Sequence, residues 1–353
     1  MPSPTLARIC LCDFRPFTLL DFEPTAGRNF IVGSNALGKT SLLEAVCLLL
    51  RLQSQRTTAP RECVRFGAAR FGLDGSWGEA RLRVTFDDNG RKAFLNDTAV
   101  TVREYLAVAK VAWMSNSDRE LISGSGSLRR RFLDFLGVQI FPAYGEHLRA
   151  YEKALRSRNA LLRDGRSWRE IAAFNTPLAT AGDALRDARI RLVELLAPHV
   201  QQSYSDIARS DEPVAIVYRP AHSGSLAETL ESTRERDTRA GVTTIGPHRD
   251  ELDILLREHP AASFASEGQQ RSFAVALKLA QAACIRQNTG APPIYLIDDV
   301  FGELDTARRE NFLAALPRDA QMLITTTSLA WRSNESDGTI FRLQADGCIE
   351  KTR

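Results

Sequence analysis

Long apolar runs are missing from this 353-residue chain. None approaches the ~18 consecutive residues that a membrane-spanning helix needs. The opening residues, Met1-Pro2-Ser3, carry no basic stretch leading into an apolar run and a small-residue cleavage site. A secretory signal is therefore not expected, and the expected location is cytoplasmic. Cysteine is scarce: six, at positions 10, 12, 47, 63, 284 and 348, none with the C-x2-C spacing of a zinc site. Cys10 and Cys12 alternate on a predicted strand and so share a face. As a set, the six read as small buried hydrophobes in a reducing compartment. Lysine is nearly absent, with six against forty arginines. Genome base composition produces such a bias, so an arginine here is not by itself a nucleic-acid contact. The net charge is only +3, which permits DNA binding without demonstrating it. No internal repeat or low-complexity tract is evident.

What is present is an ordinary globular composition, 44% hydrophobic, on a chain long enough for two domains or one large domain with an insertion. The first 35 residues read as strands, beginning with the alternation of Leu6, Ile9 and Leu11. The apolar run Phe30-Ile31-Val32 ends at a glycine, and a helix follows from Lys39 to Leu52. Residues 66–96 read as antiparallel strands around the turn signal Asp88-Asn89-Gly90, and a short strand follows at Val108–Met114. From Leu128 the chain reads as helical. Thr176-Pro177 resembles an N-cap with proline at the first helical position. Beyond it Leu178, Ala181, Leu185, Ala188, Leu192 and Leu195 step by three and four up to Pro198, which predicts a helix packed on a neighbour such as Leu148–Leu162. After residue 240 an α/β pattern returns: a helix over Gly268–Gln287, a buried strand at Ile294–Ile297, a helix over Thr306–Leu316 and a strand at Gln321–Thr325.

Gly33-Ser34-Asn35-Ala36-Leu37-Gly38-Lys39-Thr40, followed by Ser41, fits G-x4-G-K-[ST] between a strand and a helix. Glycines let the backbone curl so that its N–H groups point at phosphate oxygens, and the helix start adds partial positive charge. Lys39 would reach the outer phosphates of ATP, and Thr40 would ligate Mg²⁺. Ile294–Ile297 delivers Asp298 and Asp299 at a strand end. A site of this kind needs one carboxylate to hold the metal and a neighbour to polarise water. Asp298 is assigned the metal role and Asp299 the general-base role. A third segment, Phe264 to Arg271, precedes the long helix: Ser266, Gly268 and Gln269 offer a second anion site at a helix start. The same residues also fit a capping box, with Ser266 as N-cap and Gln269 three residues on.

The order of these pieces, with Gly302-Glu303-Leu304-Asp305 last, is that of an ABC-type ATPase head. Across nearly the whole chain the sequence resembles the RecF family. The resemblance is carried by Leu11-Cys12-Asp13-Phe14-Arg15, Leu42-Leu43-Glu44-Ala45, Leu121 to Ser125, Arg129 to Asp134, Thr244 to Asp250, Ala265 to Arg271, Val300 to Asp305 and Thr325-Thr326-Thr327. The P-loop departs from the family at Ala36, where a glycine is usual; alanine lacks glycine's freedom at positive φ. Gln55 replaces a common histidine before Arg56, and Ser125-Gly126 lacks the family's proline.

The resemblance implies an α/β P-loop NTPase of ABC/SMC-head type with an inserted helical lobe. The ATPase lobe is expected at 1–135 and 240–353, and the inserted lobe at 136–239. It implies ATP and Mg²⁺ as cofactors, weak ATP hydrolysis used as a switch, and an ATP-dependent homodimer in which the Ser266 loop faces the partner's γ-phosphate. It implies DNA as a partner, single-stranded and gapped or double-stranded, together with RecO and RecR, in loading RecA at gaps during recombinational repair and replication. Arg129, Arg130, Arg131, Arg149, Arg156 and Arg158 are candidates for a DNA face, against the alternative of solvated or ion-paired helix surface. Two further readings stay open: an ATPase head of another DNA-processing or defence system, and a DNA-binding scaffold that barely hydrolyses.

Overall fold

A computed structural model describes residues 3–330, 338–345 and 347–352. The chain divides into two compact units. The first comprises residues 1–118, 206–208 and 281–353, and the second residues 119–205 and 209–280.

Two sheets with the helix Lys39–Arg51 between them form the centre of the first unit, which also holds the helices Val102–Ala107 and Thr306–Ala315. One sheet is antiparallel, in the order Phe17–Phe22, Leu6–Phe14, Phe71–Trp77, Ala80–Asp87, Gly90–Leu95, Thr98–Ala99. Leu6–Phe14 and Phe71–Trp77 alternate buried residues with more exposed ones, as strands with one wet face must. The other sheet runs Ile349–Thr352, Thr339–Leu343, Arg28–Val32, Met322–Thr326, Ile294–Asp298, Val111–Ser115, and its last five strands are parallel. These strands read as continuous apolar runs because both faces are covered. The helix Lys39–Arg51 touches strands of both sheets, which explains why nearly every residue on it is buried rather than one stripe.

The second unit combines helices with a small antiparallel sheet of Val214–Arg219, Glu251–Leu256 and His259–Pro260. The helices Tyr144–Arg163 and Asn175–Ala208 meet through Tyr151, Ala154, Leu178, Ala181 and Leu185, with Leu148 and Ala188 packed alongside. The units divide near 118 and 280, whereas the resemblance led to expected lobe boundaries at 135 and 240. Strand pairing explains this: Glu251–Leu256 is registered residue for residue on Val214–Arg219, so the two segments fold together.

Three local expectations need correction. The long helix begins at Asn175, so Pro177 lies inside its first turn, where a missing N–H costs nothing. The helix also passes through Pro198 instead of ending there. Leu192, Leu196, Val200, Tyr204 and Ile207 continue one buried stripe across the proline, and their burial offsets the lost hydrogen bond. The cysteines are mixed: Cys47, Cys63 and Cys284 are buried, but Cys12 and Cys348 are exposed and Cys10 is half-buried. No helix among the described residues is long and apolar enough to cross a membrane.

Candidate nucleotide-binding site

The parallel sheet brings three strand ends to one edge. The P-loop leaves Arg28–Val32, Asp298 ends Ile294–Asp298, and Thr325 and Thr326 end the strand that pairs with both. Ligands of open α/β sheets bind at this carboxyl edge.

Backbone geometry makes the loop. Gly38 sits at φ +97, and a Cβ there would stand 2.6 Å from the Phe17 ring. A Cβ on Gly33 would stand 2.9 Å from the Leu343 carbonyl oxygen. Ala36 does lie at positive φ, +67, a conformation that a glycine would adopt without strain. Ser34, Asn35 and Ala36 are exposed and Leu37 is half-buried, so their contribution is the backbone. Lys39 is buried, and its Nζ donates to the carbonyls of Gly33 and Ser34 at 2.7 and 2.8 Å. Burial lowers the Lys39 pKa, against the opposing charges of Asp299 and Asp298. Ser41 is buried in the first turn of the helix.

Asp298 is the meeting point. Its Oδ1 accepts hydrogen bonds from Thr40 Oγ1 at 2.9 Å and Thr325 Oγ1 at 2.8 Å. Burial raises its pKa even so; the two hydroxyls and the charges of Arg56 and Lys39 only moderate the rise. Thr40 and Asp298 thus offer adjacent oxygen donors, the chemistry a hard divalent cation takes. Asp299, at φ +52, donates its amide to the carbonyl and hydroxyl oxygens of Thr325 at 3.2 and 3.1 Å.

Two contributors were given no role at the site by the sequence reading. Thr325 is buried and ties Asp298 and Asp299 together through one hydroxyl. Arg56 is half-exposed, and its charge is felt at Asp298. It is held by Glu44, a fully buried carboxylate that also takes both ends of the Arg15 guanidinium at 2.8 and 3.0 Å and the Ser54 hydroxyl at 2.6 Å. Burial would raise the Glu44 pKa, but these hydrogen bonds and charges outweigh it and hold it below the usual range.

The Ser266 segment lies in the second unit. There the capping box is real: Ser266 N–H donates to Gln269 Oε1 at 2.9 Å, and Gln269 N–H donates to Ser266 Oγ at 3.3 Å. Gln269 Nε2 reaches Glu212 at 3.2 Å, so its side chain holds the loop. Ser266 is exposed, and Gly268 is half-buried in the first turn. The 246–250 segment is mainly scaffold. Gly246 takes φ +123, Pro247 accepts from Arg189, and Asp250 is fully buried on the Ala221 amide and the Tyr218 hydroxyl. His248 Nε2 donates to the Thr243 carbonyl at 2.9 Å, which leaves Nδ1 to accept from Tyr151 at 2.6 Å. Arg158 is fully buried on Asp237, Thr243 and Asn175, which removes it from any DNA face. Arg129 and Arg130 are bound to Glu251 and the Asp250 carbonyl, while Arg131, Arg149 and Arg156 are exposed.

A phosphate-cradling loop, an adjoining carboxylate pair and a parallel sheet define a P-loop nucleotide-binding head of the ABC/SMC kind. The family model for the RecF/RecN/SMC N-terminal domain matches residues 5–343. The DNA replication and repair protein RecF of Moorella thermoacetica is 35% identical over 342 residues, covering 93% of this chain and 91% of that protein. The RecF of Anaeromyxobacter sp. is 37% identical over 343 residues, with 91% and 92% covered. A solved structure of the recombination mediator protein RecF-ATP in the RecFOR pathway superposes with TM-score 0.89 at 28% identity, covering 99% of this chain and 98% of that one. An Smc head bound to the C-winged helix domain of ScpA shares the fold, with TM-score 0.57 at 14% identity, covering 99% and 97%. This chain belongs to the RecF family.

Proposed function

We propose that this protein is an ATP-gated DNA-binding protein of recombinational repair and replication maintenance. The observation that supports it most is the convergence of the Gly33–Thr40 loop, Asp298 and Thr325 at one sheet edge, in a chain similar to RecF-ATP along its whole length. The amides of residues 34–40 bind the phosphates of ATP. Lys39 exchanges its two carbonyl partners for phosphate oxygens, a stronger charge-assisted bond. Thr40 and Asp298 would hold Mg²⁺, which would supply neutralisation of phosphate charge. Asp299 takes the proton from the attacking water. Arg56, steadied by Glu44, adds positive charge beside the phosphates.

A second copy supplies Ser266 and the Gly268 turn to the γ-phosphate. ATP thus favours the closed pair by binding it better than the open one. DNA is held by its backbone on exposed arginines such as Arg131, Arg149 and Arg156. RecO and RecR are the partners that the family membership supports.

Light scattering and ATP turnover test this reading. Wild-type protein should dimerise with ATP and hydrolyse it slowly. Lys39→Met should lose nucleotide binding and dimerisation together. Asp299→Asn should keep ATP-dependent dimers but lose ~10²-fold or more in turnover, the range typical of a missing general base. An Asp299→Asn variant with unchanged turnover removes the base assignment. An ATP-independent dimer overturns the gating.

A further inference from the structure

We propose that Thr325 is a positioning residue for ATP hydrolysis, its hydroxyl fixing the backbone that carries Asp299. The inference rests on the general-base reading above and adds to it a residue that acts through Asp299.

Asp299 stands where the strand Ile294–Asp298 gives way to the short turn of helix Val300–Glu303, and it makes that change of direction at φ +52 and ψ +26. A residue with a side chain stays in this left-handed conformation only where its surroundings over-determine it. Here the Asp299 amide is held by a fork: it donates to the Thr325 carbonyl at 3.2 Å and to the Thr325 hydroxyl at 3.1 Å. The parallel register sets Thr325 beside Asp298, and the same hydroxyl donates to Asp298 Oδ1 at 2.8 Å. Thr325 is fully buried, and its branched Cβ restricts χ1, so the hydroxyl has a fixed place. Its lone pair holds Asp299 while its hydrogen holds Asp298.

Stability does not require this hydroxyl. Without it, the Asp299 amide keeps the Thr325 carbonyl, and Asp298 Oδ1 keeps the Thr40 hydroxyl at 2.9 Å, so neither group is left without a partner. What is lost is direction, because one hydrogen bond leaves the Asp299 peptide free to tilt where a fork does not. The hold on Asp299 also does not depend on Asp298. The Ile297 carbonyl lies 3.5 Å from the Thr325 hydroxyl and offers its hydrogen a second acceptor should Oδ1 be taken by a cation. Orientation matters most to the chemical step: a misplacement of about 1 Å can cost about 10²-fold in rate. Nucleotide binding, carried by the P-loop, would be spared.

The test compares Thr325→Val, which keeps the shape and removes the hydroxyl, with Thr325→Ser, which keeps the hydroxyl, and with Asp299→Asn. Steady-state turnover gives kcat and KM for ATP, and a denaturation midpoint gives the stability of the ligand-free chain. Amide hydrogen exchange, followed by NMR on protein labelled with 15N-aspartate, reports the Asp299 N–H with no nucleotide or metal present. Thr325→Val should lose about tenfold in kcat, the size of losing a partner that orients a functional group, with KM within about twofold of wild type. Its midpoint should stay close to wild type, while the Asp299 amide exchanges faster. Thr325→Ser should restore both turnover and protection. Should Thr325→Val misfold by circular dichroism, Thr325→Ala against Thr325→Ser decides. Wild-type kcat in Thr325→Val, with turnover lost in Asp299→Asn, overturns this inference alone; so does unchanged exchange at Asp299. A raised KM with kcat intact would assign Thr325 to nucleotide binding and overturn it as well, and equal losses in the Val and Ser variants would reduce its role to shape. Unchanged turnover in Asp299→Asn overturns the general-base reading and this inference with it.

Discussion

Both units bury charge, and they treat it in opposite ways. Around the P-loop, burial drives Lys39 toward its neutral form and Asp298 toward protonation, so each is held in a state that its surroundings disfavour. In the second unit, Arg158 and Asp237 are fully buried and paired with each other, although Arg158 Nη2 has no hydrogen-bond partner among the described residues. Asp237 takes the guanidinium on one oxygen, and the amide and hydroxyl of Thr244 on the other. Arg189 likewise holds both oxygens of Asp134. Uncompensated charge marks a place built for an arriving ligand, whereas compensated charge marks scaffold. Glu44 shows that the division follows the role and not the unit. It lies within the first unit, is saturated by Arg15, Ser54 and Arg56, and serves to position Arg56.

The largest effect that would break this contrast belongs to the scaffold. Arg158→Met leaves Asp237 charged and buried without its partner, which costs roughly 3–5 kcal/mol. Urea denaturation should show that loss, while ATP affinity at temperatures where the variant is folded stays at the wild-type level. A loss below about 1 kcal/mol would mean that the pair does not anchor the second unit.

The site should respond the other way. Asp298→Asn removes a carboxylate whose folded pKa is raised, so the folded state binds its proton more tightly than the unfolded chain does. Stability attributable to Asp298 therefore falls as pH rises from the ordinary carboxylate value of 3.8 through the raised one, and the penalty is complete above it. At neutral pH the Asn variant should equal or exceed wild type in ligand-free stability, with the difference vanishing in acid. Mg²⁺-dependent ATP binding should meanwhile fall about tenfold or more. A variant less stable than wild type at neutral pH would place Asp298 with the scaffold.

Legibility in the sequence follows the range of the physics. The P-loop, its helix and the strand before Asp298 were readable because spacing, apolar runs and glycines are local signals. The strand Val214–Arg219 was missed, although Val214 and Ile216 alternate with exposed Ala215; its two-residue period is short and lies in helical surroundings. Pro198 was weighed as a stop, but the apolar stripe beyond it carried the better information. Arg158 and Arg131 look alike in sequence. Only the pairing with Asp237, 79 residues away, puts one in the core while the other is exposed. Arg56 and Thr325 entered the sequence reading only through the family resemblance and without a role, since their role depends on where Asp298 lands.

The smallest expected effect is at Ala36, where the two kinds of strain can be separated. Alanine at φ +67 costs about 1–2 kcal/mol relative to a right-handed conformation. Glycine removes that cost but loosens the unfolded chain by about 0.4–1 kcal/mol. Ala36→Gly should therefore raise folding stability by no more than about 1.6 kcal/mol, read as a small shift in denaturation midpoint. If the loop has the same shape with and without nucleotide, the strain is present in both states and cancels, leaving ATP affinity within about twofold of wild type. A tenfold gain in affinity would show instead that nucleotide binding forces Ala36 further from its preferred conformation. The strain at this position would then act on the ligand, and Ala36 would belong with Lys39 and Asp298 rather than with the scaffold.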